Sequence, residues 1–229
     1  RKMVFIGGPR QSGKTTLAKH LCEASGCLIK DRYLNWDAAE DREQIILERF
    51  PTGPGMLVLD EIHKYARWRQ VVKGIFDKRG RELEILVTGS ARLDHFRRGG
   101  DSLQGRYHFF RLMPLSLAEL NAPTSSTVDA LLAYGGFPEP FVRRDRRFSL
   151  RWRELRRSQL LRDEVRDLTC IQELDQLAIL GHLLEARSGE QVVYSILARE
   201  VRVSENTIRS WVSTFCSLYF GFLVRPWHR

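Results

Sequence analysis

The chain has 229 residues, enough for one large domain or two small ones with real hydrophobic cores. It carries 37 Lys and Arg residues against 28 Asp and Glu residues, a formal net charge of +9, which favours a polyanionic partner. The alternative is a protein without an anionic partner, from an arginine-rich proteome. The four cysteines lack zinc spacing, and no apolar run reaches the roughly 18 residues of a membrane span, so we expect a cytoplasmic protein without a membrane partner.

A phosphate-binding loop follows the first predicted strand. The apolar run 3–6 leads into residues 8–15, GPRQSGKT, which fit the pattern G-x-x-x-x-G-K-[ST] at every fixed position. In such a loop, backbone N–H groups and the N-terminus of the following helix bind phosphate oxygens. The predicted nucleotide-binding residues are Gly8, Pro9, Arg10, Gln11, Ser12, Gly13, Lys14, Thr15 and Thr16. Lys14 would reach the β- and γ-phosphates, and the Thr15 hydroxyl would bind Mg²⁺.

Two helices and a strand are predicted between this loop and the next motif. The helices cover residues 16–25 and 38–50, and the strand lies within residues 27–36. Asp37 is placed to cap the second helix. The apolar face of that helix would comprise Ile45, Ile46 and Phe50.

A carboxylate pair follows a buried strand. Four apolar residues, 56–59, suit a strand covered on both faces of a parallel sheet, and ligands bind at the carboxyl ends of such strands. Asp60 is positioned to hold Mg²⁺ through its water shell. Glu61 is positioned to polarise the water that attacks the γ-phosphate. The alternative is a solvated strand end without a catalytic role.

The next helix and strand lead to a small polar residue. Residues 68–79 show helical spacing, and residues 83–87 form a buried strand. Thr88 is the first candidate to bond the γ-phosphate or the attacking water and Ser90 is the second, although a simple turn would also explain both. Residues 99–105 predict a mobile loop, and residues 106–112 a fifth strand. The order predicts a mostly parallel α/β sheet.

Beyond Pro114 the sequence turns helical, with predicted helices at residues 115–120 and 127–134. The segment Arg143–Arg166 holds ten arginines and four acids, and its apolar positions include Phe148, Trp152 and Leu155. This pattern indicates an amphipathic helix, or pair of helices, with a basic face. That face either is solvated or contacts nucleic acid or another subunit.

The last 59 residues have the rhythm of a helix-turn-helix. Helices are predicted at residues 174–187, 195–200 and 207–218, with Ser204 as a cap and residues 219–226 as the start of a wing. The third helix would expose Asn206, Arg209 and Ser210. Binding of DNA and service as a protein-only lid both remain open.

Six segments together resemble an archaeal-ATPase-like, prokaryotic family of AAA+-type P-loop ATPases. They are residues 8–15, 59–64, 86–90, 105–106, 114–116 and 135–139. The resemblance implies ATP rather than GTP and a sensor strand between the loop strand and the Asp-Glu strand. It also implies a winged helix after the ATPase core, and a domain resembling nuclease folds beyond Arg229. The predicted domains are the P-loop ATPase domain 1–118, a helical lid or linker 119–170 and a winged-helix-like domain 171–229.

The sequence therefore predicts a P-loop NTPase sheet followed by a helical region and a winged helix. Its predicted activity is Mg²⁺-dependent ATP hydrolysis that drives a conformational change, with Lys14, Glu61, Thr88 and Arg106 as catalytic residues. Arg106 is the first candidate to reach the γ-phosphate of a neighbouring copy in a homo-oligomer, and Arg92 is the second. An ATP-regulated DNA-binding switch with negligible turnover and a P-loop kinase for a small metabolite are the alternatives.

Overall fold

The computed structural model describes residues 2–90, 93, 103–120, 124–161, 165 and 173–227. The chain divides into two compact units, Arg1–Arg144 and Asp145–Arg229. In the first unit the strands are β1 Met3–Gly7, β2 Tyr33–Asn35, β3 Gly55–Asp60, β4 Leu83–Thr88 and β5 Tyr107–Arg111. Its helices are α1 Lys14–Ala24, α2 Ile29–Arg32, α3 Ala39–Ile46, α4 Trp68–Arg79, α5 Ser125–Tyr134 and α6 Pro138–Arg143.

The five strands form one parallel sheet in the order β2-β3-β4-β1-β5. The predicted position of the sensor strand is confirmed, because β4 lies between β1 and β3. Thr88 is paired with Ile6 on one side and with Asp60 on the other. The carboxyl ends of the three central strands therefore meet at one edge of the sheet, where the phosphate-binding loop begins.

Both faces of the sheet are covered, which explains the unbroken apolar runs in β1, β3 and β4. On one face, Phe5, Leu59 and Val87 join a cluster that includes Trp68 and Val72 of α4. On the other face, the strand residues Ile6, Val58 and Leu86 pack with Ala18 and Cys22 of α1. Successive strand residues point to opposite faces, so each apolar run supplies both layers of the core.

The segment around β2 differs from its prediction. The strand has only three residues, because residues 29–32 turn as a short helix before it. The prediction that Asp37 caps the next helix is wrong, since Ala38 is the N-cap residue and the Asp37 carboxylate binds Lys64 Nζ at 2.6 and 2.8 Å. That helix ends at Ile46, where Ile45 is buried and Ile46 is half exposed.

Two predicted features after β4 are corrected or lie outside the described residues. The helix predicted at 115–120 is a single 3₁₀ turn, Leu117–Glu119, closed by hydrogen bonds between Ser116 and Glu119. Arg92 and residues 99–102 of the predicted mobile loop are not among the described residues.

In the second unit, helix α7 spans Arg146–Gln159 and is capped by Asp145, which accepts a hydrogen bond from the Phe148 N–H at 2.9 Å. Trp152 is buried as predicted, but Leu155 is 66% exposed and Arg156 takes the buried position. The Arg156 guanidinium lies 5.9 Å from the centre of the Trp152 ring. Steps of three and four from Ser149 through Trp152 to Arg156 define the buried face, so the predicted apolar face was out of phase at Leu155.

Three further helices form the rest of this unit: α8 Leu174–Ala186, α9 Tyr194–Val201 and α10 Glu205–Ser217. The capping role of Ser204 is confirmed, because its hydroxyl accepts a hydrogen bond from the Thr207 N–H at 3.1 Å. Buried side chains of all three helices form its core: Leu177, Leu180, Leu197, Ile208, Trp211 and Phe215. Within residues 219–227 no strand is formed, so the wing stays a prediction.

Candidate nucleotide-binding site

The two glycines of the loop after β1 meet different constraints. Gly8 has φ 152°, and a Cβ atom there would lie 2.2 Å from the carbonyl oxygen of Leu112. The Leu112 N–H is itself bonded to the Gly7 carbonyl at 2.9 Å, so the end of β5 fixes this close approach. Gly13 has φ 97°, and a Cβ atom there would have no neighbour within 4 Å. Packing therefore requires glycine at position 8, whereas position 13 faces open space at the start of α1.

Lys14 is buried and lies over the loop. Its Nζ donates hydrogen bonds to the carbonyls of Gly8 at 3.1 Å and Pro9 at 2.6 Å. The Ser12 hydroxyl is also buried and has no hydrogen-bond partner among the described residues. A buried lysine and an unbonded hydroxyl in one loop are donors suited to phosphate oxygens.

The remaining loop residues lie further out. Arg10 is half-buried, Gln11 is exposed with a left-handed backbone at φ 63°, and Thr16 is exposed in the first turn of α1.

Asp60 is the centre of a hydroxyl cluster at the carboxyl end of β3, where it is 1% exposed. Its Oδ2 accepts hydrogen bonds from the Thr15 hydroxyl at 2.8 Å and from the Tyr33 hydroxyl at 2.5 Å. Its Oδ1 accepts a hydrogen bond from the Thr88 hydroxyl. The structure thus brings together three predicted residues, Thr15, Asp60 and Thr88, from three separate segments.

Tyr33 is the member of this cluster that sequence reasoning missed. It belongs to no motif, and in the sequence it looks like one more aromatic residue of a predicted strand. The only signal was its place in the strand next to the Asp-Glu strand, and the register of that pairing needed the structure.

Glu61 leaves the strand with a left-handed backbone at φ 56°, and its side chain is 18% exposed. Burial raises the pKa of its carboxyl, and Asp60 adds to that rise, while Lys64 and Lys14 lower the pKa. Lys64 Nζ lies 3.4 Å from Glu61 Oε2 and His63 Nε2 lies 3.7 Å from it, and this oxygen is itself buried. The Glu61 side chain therefore lies directly after β3 beside two basic side chains, with one of its oxygens turned away from solvent.

Ser90, the second candidate on this strand, has a different partner from Thr88. Its hydroxyl lies 3.2 Å from Nε2 of the buried His63. The His63 ring packs on Gly89, where a Cβ atom would lie 2.5 Å from Nδ1. Thr88 therefore joins Asp60, while Ser90 joins the turn that follows Glu61.

Arg106 lies at the amino ends of β1 and β5, whereas the phosphate-binding loop follows the carboxyl end of β1. It precedes β5, and its carbonyl accepts a hydrogen bond from the N–H of Met3, the first residue of β1, at 2.9 Å. Its Nε lies 3.2 Å from Asp77 Oδ1 on α4. Because β1 and β5 are parallel, their full length separates Arg106 from the loop of its own chain. Arg106 does not join this site.

The donor set at the loop fits magnesium. Mg²⁺ is typically bound by one or two carboxylates together with hydroxyl, phosphate and water oxygens, and Thr15 and Asp60 supply such oxygens side by side. Across the described part of the chain, no group of three or more His, Cys, Asp and Glu side chains forms a dedicated metal site. Among those residues there is also no helix long and apolar enough to cross a membrane.

A family model described as "AAA domain" matches residues 1–121, more than half of the 229 residues. The chain belongs to the AAA domain family. Its matched part contains the loop, the Asp60 cluster and the whole sheet described above. A second model, "Domain of unknown function (DUF8612)", matches residues 125–229.

Similar proteins add little about function. Uncharacterised proteins of Mycobacterium tuberculosis and Mycobacterium bovis are each 24% identical over 225 residues, which cover 98% of this chain and 50% of the relative. The chain thus spans about half the length of the curated relatives it matches.

Two solved structures illustrate the more distant likenesses. The Holliday junction branch migration motor RuvB of Thermotoga maritima is 18% identical, with 98% of this chain and 82% of RuvB covered and a TM-score of 0.42. The Orc1 protein of Aeropyrum pernix in complex with DNA is 13% identical, with coverage of 95% and 78% and a TM-score of 0.37. At such scores the likeness carries no argument.

Proposed function

We propose that this AAA domain binds ATP with Mg²⁺ and hydrolyses ATP. The observation that carries the proposal is the convergence at one sheet edge of the phosphate-binding loop, the Thr15–Asp60–Thr88 hydroxyl–carboxylate cluster and the Glu61 carboxylate. A protein that only bound nucleotide would need the loop and the metal ligands. A second carboxylate, directly after Asp60 and with a side chain that is 18% exposed, has a use in activating water.

Each residue has a separate role in the proposed reaction. Lys14 neutralises charge on the β- and γ-phosphates, and the Ser12 hydroxyl and loop N–H groups orient them. Thr15 and Asp60 hold Mg²⁺, which supplies further charge neutralisation when bound. Glu61 accepts a hydrogen bond from the attacking water and aligns it with the γ-phosphate.

A second candidate is an ATP-regulated switch that binds DNA and turns over little ATP. Helix α7 favours it, because Arg146, Arg147, Arg151 and Arg153 are all exposed. Helix α10 offers less, since its Arg209 lies 2.5 Å from Glu205 and stacks 4.2 Å from the centre of the Tyr194 ring. Part of the positive charge expected to face DNA is thereby neutralised.

The organisation around the site is also part of the proposal. We assign residues 1–118 to the ATPase domain, 119–170 to a helical lid or linker and 171–229 to a winged-helix-like domain of the archaeal-ATPase type. The order α8, α9, α10 and the Ser204 cap support the helix-turn-helix part of the last domain. ATP hydrolysis would move the core relative to these parts, in a cytoplasmic protein that forms homo-oligomers.

The proposal is tested by measuring ATP binding and ATP turnover separately. Lys14→Ala removes the charge inside the phosphate cradle, so we expect it to abolish detectable binding by calorimetry. Glu61→Gln keeps the shape of the side chain but not its ability to accept a proton. It should retain binding while lowering kcat by about 10²–10⁴-fold.

Matched controls are available on exposed helix positions. Lys30→Ala on α2 and Glu23→Gln on α1 make the same chemical changes away from the site and should leave both measurements unchanged. ATP binding at wild-type affinity in Lys14→Ala would refute the nucleotide site. Turnover that is undetectable in the wild type, with single-stranded DNA, duplex DNA or RNA or without nucleic acid, would refute hydrolysis. Undetectable turnover together with DNA binding that depends on ATP would favour the ATP-regulated DNA-binding switch.

A further inference from the structure

Tyr33 stands outside every motif of this chain, yet its hydroxyl reaches the carboxylate that is expected to serve the metal. The residue begins β2 and pairs with Val58 of β3, two positions before Asp60. Its ring is buried against Ala18, Cys22 and Val58 on one face of the sheet. From there the hydroxyl lies 2.5 Å from Asp60 Oδ2, a short distance typical of a hydrogen bond to a charged acceptor.

The hydrogen bonds to Asp60 leave little freedom to its carboxylate. An ionised carboxylate has about four lone-pair positions. Thr15 and Tyr33 occupy both positions on Oδ2, and Thr88 occupies one on Oδ1. One position on Oδ1 is left to accept a hydrogen bond from a metal-bound water. Thr15 donates its hydrogen to Asp60, so the lone pairs of its oxygen remain for the metal.

We propose that Tyr33 is a positioning residue for magnesium, which fixes the Asp60 carboxylate in the orientation that the water shell of the metal requires. The inference rests on the proposed ATPase function. Without the Tyr33 hydroxyl, Oδ2 keeps only the Thr15 bond, and the carboxylate can rotate away from the position in which Oδ1 faces the metal site. In this scheme Tyr33 does not touch the nucleotide, because it acts through Asp60, and its hydroxyl also interacts with the Thr15 side chain.

The ring of Tyr33 is held in place by its surroundings. It is 9% exposed and belongs to the apolar cluster that covers one face of the sheet. A positively charged neighbour also covers the residue, since Lys19 Nζ lies 5.1 Å from the centre of its ring. The ring and the hydroxyl therefore have separable tasks, packing for the first and orientation of Asp60 for the second.

Tyr33→Phe separates these two tasks, because it keeps the ring and removes only the hydroxyl. ATP affinity is measured by calorimetry in EDTA and at increasing concentrations of MgCl₂. The quantity compared is the Mg²⁺ concentration that gives half of the full Mg²⁺-dependent change in ATP affinity. Loss of a residue that orients a metal ligand typically costs 10–100-fold in metal affinity, so we expect this concentration to rise by about that factor. ATP affinity in EDTA should not change, and kcat at saturating Mg²⁺ should stay near the wild-type value.

The matched control is Tyr65→Phe, which removes a phenolic hydroxyl from the same unit. The Tyr65 ring stacks on the Trp36 ring with 4.6 Å between ring centres, and the three hydroxyls that bond to Asp60 are those of Thr15, Tyr33 and Thr88. Tyr33→Met, which also lacks the hydroxyl, is a second test if Tyr33→Phe folds poorly by circular dichroism. In an Asp60→Asn background, Tyr33→Phe should have no further effect on the Mg²⁺ requirement.

The outcomes separate this inference from the function on which it rests. A wild-type protein that binds no ATP, with or without Mg²⁺, would refute the proposed function. A wild type whose ATP binding depends on Mg²⁺, with the same Mg²⁺ requirement in Tyr33→Phe as in Tyr65→Phe, would refute the role of Tyr33 alone. Loss of ATP affinity in EDTA would also overturn it, because Tyr33 would then support the loop rather than the metal ligand.

Discussion

Substituting Gly8 and Gly13 in turn should show which glycine the packing of the fold requires and which one ATP binding requires. In Gly8→Ala the new methyl group would lie 2.2 Å from the Leu112 carbonyl oxygen, so the two must move apart by about 0.8 Å to reach 3.0 Å. That shift strains the Gly7–Leu112 hydrogen bond at the end of β5. Overpacking typically costs about 1–3 kcal/mol, and the positive φ adds about 1–3 kcal/mol.

Gly13→Ala carries only the second of these costs, because open space surrounds position 13. We therefore expect Gly8→Ala to be less stable than Gly13→Ala by about 1–3 kcal/mol. For a domain of this size that difference corresponds to a Tm lower by about 2–12 °C. The measurement is thermal unfolding followed by circular dichroism without nucleotide.

Calorimetric titration with ATP completes the comparison. The added methyl group in Gly13→Ala lies at the open start of α1, where phosphate is expected to bind. This variant should therefore lose ATP affinity, although it loses less stability than Gly8→Ala. Equal Tm values for the two variants would refute the argument that packing against Leu112 dictates glycine at position 8. Unchanged ATP affinity in Gly13→Ala would refute the assignment of the open side of the loop to phosphate.

Two further predictions concern residues away from the loop. If Arg106 acts on a neighbouring copy, Arg106→Ala should lower kcat by about 10³–10⁵-fold while ATP affinity stays near the wild-type value. Mixing Arg106→Ala with Glu61→Gln should then restore part of the activity. Action between copies would be refuted if mixing restored no activity and the activity did not depend on protein concentration. The pKa of the Cys27 thiol is lowered by the Ser25 hydroxyl and a backbone N–H, whereas burial raises that of Cys22. Iodoacetamide should therefore modify Cys27 faster than Cys22 at neutral pH, as measured by peptide mass spectrometry, and faster labelling of Cys22 would contradict this.

The central sheet could be predicted from sequence because its signals are local and mutually consistent. The apolar runs of β3 and β4 and the apolar spacing of α4 each depend on residues within one segment. The bounds of α4, Trp68–Arg79, are those that the spacing predicts. The loop pattern also predicts a strand before it and a helix after it. The two fixed glycines of the pattern, Gly8 and Gly13, both have positive φ.

Two of the failures, at Asp37 and Tyr33, arose where a partner distant in the sequence decides the conformation, and the third, at Leu155, arose within one helix. Asp37 follows β2 in a position typical of a cap, but Lys64 lies close enough to bind both of its carboxylate oxygens. At Leu155 the apolar residue is exposed, while Arg156 covers Trp152 with its long side chain. Tyr33 was missed for the same reason, since only the pairing of β2 with β3 brings its hydroxyl to Asp60.

The strand order has a consequence for biosynthesis. Strand β1 is made first, but its two neighbours in the sheet are β4 and β5, and Gly7 pairs with Arg111 across 104 positions of sequence (111 minus 7). At about 5–20 residues per second, a ribosome needs about 5–20 s to add those residues. Until β4 is complete at Thr88, 81 positions after Gly7 (88 minus 7), the apolar segment Met3–Gly7 has neither of its two sheet neighbours to pair with, and it leaves exposed apolar surface of the kind that chaperones bind. The hydrogen-bonded cluster around Asp60 likewise forms only after Thr88 has been added.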